Sequence, residues 1–487
     1  MKPSMGMWWF FSHLCCFFLL FHFSFSHSFC HPHDNLALLH FKASLTIHNT
    51  MYFYDYCHEV YPTIATWENG TDCCSWSGVT CDTISGHVTA IDLACAGLQG
   101  KINANSTLFT LSHMQSLNLA FNDFSNSHIP SPIGQFVNLT HLNLSSSNFQ
   151  GEIPPQISHL SKLQSLDLSL PQYNEIQLKW KEDTWKRMLQ NATELRVLVL
   201  NSTDLSSTSM RSLNLSSSLI TLSLVGTGLK GKLTDDILCL PNLQYLDLSY
   251  NSDIHGQLPS LSCSSASLNV LQISSCEFQG PIPPSFSNLT SLTLLDLSYN
   301  YFNGSIPSSL LTLPRLNALY LYNNDLSGQI PNVFHQSNRF EKLILGENNI
   351  QGELPSTISN LKHLIFLDIS HNKFEGPLPN KIAGFPNLAF LFLTGNLLNG
   401  TIPSWCFSLP SLVQLFLSNN QFTPAISSYS LQYLSLSDNK LLIYLQNQFS
   451  TLSTLLIYLC HRTTSVVLSI FHFSPISKIW EVLTFQI

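Results

Sequence analysis

The sequence predicts an α/β solenoid, a stack of repeated units that each contribute one short parallel strand to a concave face. Three observations predict it. A Leu-x-Leu core returns every 24 residues, its first Leu falling at Leu295, Leu319, Leu343, Leu367, Leu391 and Leu415. An Asn sits five residues after each, from Asn300 through Asn324, Asn348, Asn372 and Asn396 to Asn420. A Gly-x-Ile/Leu-Pro motif then closes most units, as at residues 151–154, 280–283 and 304–307.

Each observation has a physical reason. Leu-x-Leu alternates apolar and polar, so it reads as a strand with every second side chain buried. One such unit cannot bury its apolar face alone, but stacked neighbours can. The Asn amide offers donors and an acceptor to the backbone at the turn leaving the strand. Gly permits the bend that follows, and Pro ends the pairing. A second short extended segment and then an irregular convex side are therefore expected in each unit. A fixed period of this length with this pattern is the signature of a leucine-rich repeat.

Counting backwards, the core recurs at Leu271, Leu246, Leu222, Leu198, Leu166, Leu142, Leu117 and Ile91, and Leu434 brings the total to about 15. Cys276, Thr203, Thr227 and Ser147 stand in the Asn column elsewhere and do only part of its work. Two spacings are irregular: 32 residues from Leu166 to Leu198, and 19 from Leu415 to Leu434. The first, near residues 170–190, carries charge and two Trp residues and reads as a helical excursion from the solenoid. The second reads as a shortened repeat.

Composition narrows the function. The 487 residues carry a net charge of −8, only 10% are charged, and no basic patch marks a nucleic-acid surface. Residues 1–28 read as a secretory signal peptide, with Lys2 before an apolar run and small residues at 26–28. A signal anchor is the competing reading, weakened by His13 and His22. Sequons at Asn69, Asn105, Asn138, Asn191, Asn201, Asn214, Asn288, Asn303 and Asn399 are expected to carry glycans, whereas Asn143 points toward the strand face. No phosphate loop, kinase motif set, H-E-x-x-H or G-x-S-x-G elbow is present, so no enzyme activity, catalytic residue or cofactor is expected. His27, His31 and His33 read as linker residues beside the cleavage site.

Residues 29–86 read as a cap over the open end of the solenoid. They hold an amphipathic helix pattern at 34–42 and the block WENGTDCCSWSGVTCD at 67–82. That block resembles the N-terminal cap of plant leucine-rich-repeat receptors. The resemblance pairs Cys30 with Cys73 and Cys74 with Cys81, and Cys57 with Cys95 as in one subgroup. A zinc reading of Cys73, Cys74 and Cys81 is set aside because secretion favours disulfides, and no metal site is expected. Cys239 and Cys263 lie one repeat apart on the convex side, where a bridge is open to them, while Cys276 and Cys406 are expected to be buried and free.

With its G-x-I-P signature, its cap and its irregular early repeats, the chain is similar to plant receptor-like proteins of the Cf/Ve type, which have no kinase. The resemblance implies a plant-type superhelix with a disulfide-stapled cap. It also implies recognition of a peptide or microbial protein ligand at the cell surface, in defence or development, with signalling through receptor kinase co-receptors. An inhibitor of a microbial wall-degrading enzyme, similar to polygalacturonase inhibitors, is the alternative; such inhibitors are shorter and more regular. The plasma membrane is the expected location for a full-length member, and the apoplast for a chain that ends as this one does. Residues 442–487 read as an aperiodic tail, without a membrane helix, appended to a truncated ectodomain by a reading-frame or splicing artefact.

The residues between the paired Leu positions face the concave side. Through Asp296 they are mostly polar, including Asp247 and Gln272, and then Tyr320, Ile344, Phe392 and Phe416 appear, with Tyr322, Phe366 and Phe390 beside them. Aromatic surface of this kind favours binding, so these seven residues are the expected ligand strip. The competing reading is that the aromatics pack only on one another.

Overall fold

The computed structural model describes residues 29–47, 57, 63–125, 127–170, 178–215, 217–263, 267–380, 385–423, 433–436, 439 and 456–458. They divide into two compact units at Leu168 and Ser169. The expected signal peptide lies outside the described residues.

The first unit begins with the cap. A helix at Pro32–Ala43, started by Pro at its first position, buries Ala37, Leu38 and Phe41. The strand Val79–Cys81 pairs antiparallel with Val88–Asp92, which is the first repeat strand, and Leu45–Ile47 pairs antiparallel with Leu98–Gly100. Trp67, fully buried, stacks on Trp76 at 5.4 Å. Disulfides join Cys30 to Cys73, Cys57 to Cys95 and Cys74 to Cys81, with Cα separations of 5.4, 5.9 and 5.5 Å. Parallel strands at Ser116–Asn118, His141–Asn143 and Ser165–Asp167 then extend the sheet.

The second unit continues the pattern. Strands at Val197–Val199, Thr221–Ser223, Tyr245–Asp247, Val270–Gln272, Leu294–Asp296, Ala318–Tyr320, Lys342–Ile344, Phe366–Asp368, Phe390–Phe392 and Gln414–Phe416 pair in parallel, each with the next. The register places Leu295 opposite Leu319 and Leu319 opposite Leu343, so the Leu column forms one continuous core. The shortened repeat keeps this register, since Tyr433–Ser435 pairs with Gln414–Phe416. One strand lies beyond the expected end of the stack: Leu456–Tyr458 pairs in parallel with Tyr433–Ser435. The segment expected to be aperiodic thus contributes a strand, although Thr454 stands where the pattern calls for Leu.

The Asn column ties successive repeats together. Asn300 donates through Nδ2 to the carbonyls of Leu297 and Ser298 in its own repeat and of Ile273 in the preceding one, at 2.9–3.1 Å. Its Oδ1 accepts from the Phe278 N–H at 3.1 Å. Asn324, Asn348, Asn372, Asn396 and Asn420 repeat this set of bonds. Cys276 replaces Asn in one repeat, and its thiol reaches the Leu248 carbonyl at 3.4 Å. The residue before the column position is in the left-handed region, with φ of 49–60° at Tyr250, Tyr299, Asn323, Glu347, His371 and Asn419 before Asn and at Ser275 before Cys276, and 70° at Gly395. Side chains other than Gly pay strain there, which the bonds of the following Asn offset.

After the turn, a second layer of short extended segments pairs in parallel, among them Glu277–Pro281 with Tyr301–Gly304 and Lys373–Pro377 with Leu397–Thr401. Single helical turns such as Pro284–Asn288 and Ser356–Asn360 complete the side away from the strands. The expected excursion is different in kind. Its residues 171–177 lie outside the described set, but 182–191 form a ten-residue helix. Trp185 is fully buried there, meets Trp180 edge-on at 5.5 Å and donates to Ser212 Oγ at 2.7 Å. The described part of the insertion packs against the repeats through both Trp residues. Cys239 and Cys263 are bridged across one repeat, with Cα atoms 5.8 Å apart. Cys276 and Cys406 are free and buried, and burial pushes the Cys276 thiol up to about 12, so it stays protonated.

Candidate ligand-binding face

The strand face of the second unit is built from two kinds of residue. Asp247, Asp296 and Asp368 occupy the position between the paired Leu residues. Each turns its carboxylate back on its own chain, accepting the N–H of the Ser two residues on: Ser249 at 3.0 Å, Ser298 at 2.9 Å and Ser370 at 2.8 Å. This is the local side-chain-to-backbone bond that Asp favours at turns. Asn118 and Asn143 make the same bond in the first unit. Burial raises all three Asp carboxyls above the usual carboxylate value of 3.8. Tyr245, beside Asp247, is pushed up to about 12 by burial and by that carboxylate. The polar half of the column is thus occupied with closing its own strands.

The aromatic half is arranged differently. Phe366 stacks on Phe390 at 5.1 Å and meets Phe392 edge-on at 4.9 Å, and Phe392 stacks on Phe416 at 4.6 Å. All four are half-buried, so each packs on its neighbours and still presents one edge or face to solvent. These rings therefore pack on one another as a ladder and remain partly accessible along the strand face. Tyr320 and Ile344 are half-buried next to it on the same sheet.

Tyr322 joins the strip through a notch. Gly346 has no side chain, and a Cβ there would lie 3.1 Å from the Tyr322 ring and 3.0 Å from Asp368 Oδ1 and Ser370 Oγ. The Tyr322 ring fills that space and pairs with Tyr299 at 5.4 Å. Burial, with Glu347, Tyr299 and Asp368 nearby, raises the Tyr322 phenol. Tyr299 escaped the sequence reading because it lies in the turn, one residue before Asn300 and outside the strand pattern. Its left-handed backbone turns a ring that is 52% exposed over the strand face.

Comparison with known proteins gives the same frame. Residues 31–82 match the leucine rich repeat N-terminal domain, and leucine rich repeat families match residues 110–127, 138–160, 266–326 and 338–398. The chain carries a leucine rich repeat N-terminal domain followed by leucine rich repeats. Its homologues are plant receptor-like proteins. It is 38% identical to Receptor-like protein 6 of Arabidopsis thaliana over 52% of its own length and 26% of that protein. It is 41% identical to Receptor-like protein Cf-9 of Solanum pimpinellifolium over 50% of its length and 29% of that protein. The chain spans roughly a quarter to a third of the curated relatives it matches. Among solved structures it resembles the plant peptide hormone receptor RGFR1 in complex with RGF2, with 27% identity and a TM-score of 0.60 over 76% of this chain and 68% of that one. It also resembles a TDR receptor, with 28% identity and a TM-score of 0.65 over 79% and 70%.

The sequons of this chain are not equivalent. Asn69, Asn105, Asn191, Asn303 and Asn399 are exposed, and Asn138 and Asn288 are half-buried. Asn214 has no described side chain. Asn201, expected to carry a glycan, lies against the strand face, and its Oδ1 accepts from Ser223 Oγ at 2.8 Å and the Val225 N–H at 2.9 Å. A glycan would be joined at Asn201 Nδ2, which leaves these two bonds to Oδ1 in place. Among the described residues no helix is long and apolar enough to cross a membrane.

Proposed function

We propose that this chain is the ligand-sensing part of an extracellular plant receptor, and that Tyr320, Tyr322, Ile344, Phe366, Phe390, Phe392 and Phe416 form the surface that takes the ligand. The half-buried aromatic ladder of Phe366, Phe390, Phe392 and Phe416 carries this reading. A purely structural core would bury these rings, as it buries the Leu column beneath them. Rigid aromatic surface gives large contact area at low entropic cost, which is why aromatics anchor interfaces. The flanking carboxylates are engaged with their own backbone, so the ladder offers contact area rather than charge. An extended peptide, or a protein loop of similar width, fits such a strip. The likeness to a peptide hormone receptor supports a peptide, and the likeness to Receptor-like protein Cf-9 supports a receptor; a partner receptor kinase and a role in plant defence are what the resemblance of the sequence implies.

The test is affinity purification of the chain from leaf tissue, alongside a variant carrying Tyr320→Ala, Phe392→Ala and Phe416→Ala. The native chain is expected to enrich receptor kinases and an extracellular ligand, and the variant to lose the ligand. Recovery of a fungal polygalacturonase in place of kinases, or an identical ligand set from both chains, would overturn the assignment.

A further inference from the structure

The cap holds a cluster that the ligand face does not explain. His31 and Asp34 bracket the first turn of the cap helix, and His87 begins the approach to the first repeat strand. One ligand-capable atom from each lies within 4.8 Å of the other two. His87 Nδ1 is 3.1 Å from Asp34 Oδ2, and His31 Nδ1 is 4.0 Å from Asp34 Oδ1. The His31 Nδ1 atom is buried and has no hydrogen-bond partner. We propose that His31, Asp34 and His87 form a binding site for a divalent first-row transition cation, with zinc as the best-matched ion.

Four observations support this assignment. Two imidazoles and a carboxylate are the donor set that zinc-class ions take with an open fourth position. Donor atoms around a tetrahedral ion with bonds of about 2.0–2.1 Å stand roughly 3.3 Å apart, and the separations here bracket that value. The orphaned His31 nitrogen gains a partner only if something enters the cluster, because leaving a buried polar atom unpaired is costly.

The site is also held in place before any ion arrives. The His31 N–H donates to the Gly86 carbonyl at 2.9 Å, which fastens the residue before His87 to the residue before the helix. The Cys30–Cys73 bridge anchors the position preceding His31. Asp34 Oδ2 accepts the Val88 N–H at 2.9 Å, and His33 Nδ1 lies 3.3 Å from Asp34 Oδ1. The rings of His31 and His87 stack at 4.1 Å, and His113 stacks on the far side of His87 at 3.9 Å. The contacts from Val88, His33 and His113 come from outside the three ligands and orient them. Among the described residues the other grouping of candidate ligands, Cys30, Cys73 and Cys74, has its sulfurs committed to disulfides. Sequence reading took His31 for a linker residue because its partner His87 is 56 positions away. A bound ion would clamp the cap helix to the start of the first repeat.

The test uses the tag-free chain, secreted from plant cells, stripped with EDTA and titrated with Zn²⁺ by calorimetry and with Co²⁺ by visible absorption. The expected result is one tight site per chain, a tetrahedral Co²⁺ spectrum and a higher thermal midpoint for the cap. His31→Ala and His87→Ala are each expected to weaken Zn²⁺ binding at least tenfold. His31→Ala decides the matter if His87→Ala fails to fold, since the His31 nitrogen makes no other bond. Absence of a stoichiometric site in the native chain, or unchanged affinity in folded His31→Ala, would overturn the proposal.

Discussion

At the scale of single residues, the chain is held by polar groups that serve the backbone. Asn348 satisfies the carbonyls of Leu321, Leu345 and Gly346 and the N–H of Leu326. Asn348→Ala leaves these groups buried without partners, at about 1–3 kcal/mol of lost stability, measurable by urea unfolding. The Asp column gives a prediction of opposite character. Burial raises Asp296, so the native state holds its proton more firmly than the unfolded chain does. Stability is therefore lost as pH rises from 3.8 through the raised native value. Asp296→Asn keeps the bond to Ser298, as Asn143 keeps the bond to Ser145, and does not titrate. The variant is expected to be at least as stable as the native chain at pH 7 and to lose that advantage near pH 4. Equal differences at both pH values would contradict the role given to burial. The Asn column was legible in the sequence because its spacing is fixed. The closure of the strands by Asp was not, because an Asp facing solvent and an Asp bonded to its own backbone look alike in a string of letters. Tyr299 was missed for a related reason: its direction is set by a left-handed φ of 53°, which the Leu spacing does not encode.

At the scale of elements, the strands and their register followed directly from the Leu-x-Leu period, because a one-residue slip would expose every Leu. The insertion was harder to read. Its charge suggested an excursion, whereas its two Trp residues carry the packing. Trp185→Ala removes a fully buried indole and is expected to destabilise its surroundings by about 3–5 kcal/mol. Trp185→Phe should lose less, mainly the bond to Ser212 at about 1 kcal/mol. Hydrogen exchange at Val197–Val199 and Thr221–Ser223 reads both effects, and equal exchange in the two variants would contradict the packing role. The strand at Leu456–Tyr458 was not legible, since its repeat lacks both the Leu of the pattern and the closing Asn, and only its backbone pairing identifies it.

At the scale of the whole molecule, stability is a sum of repeat and neighbour terms, so damage stays local. The Cys239–Cys263 bridge closes a 24-residue span, and removing it with Cys239→Ser and Cys263→Ser is expected to cost about 3 kcal/mol. Exchange protection should fall around Tyr245–Asp247 and Val270–Gln272 while Phe390–Phe392 is unchanged; a uniform loss would argue against additive repeats. The fold was legible because it rests on a period, and the pairing in the cap through the resemblance of residues 67–82 to the cap of plant leucine-rich-repeat receptors. The aromatic strip proposed to bind ligand was visible in the sequence only as a change of composition, and its geometry, with the Gly346 notch and the phenylalanine ladder, required the structure. The most direct measurement of the central claim is site-specific photo-cross-linking in leaf apoplastic fluid, with a benzophenone side chain placed at Phe392 or, as a control in the second layer of extended segments and outside the Leu-x-Leu strands, at Asn303. The account predicts a discrete extracellular adduct from Phe392 that is absent from Asn303 and is lost when Tyr320→Ala and Phe416→Ala are added. Equal adducts from both positions, or none from Phe392, would contradict it.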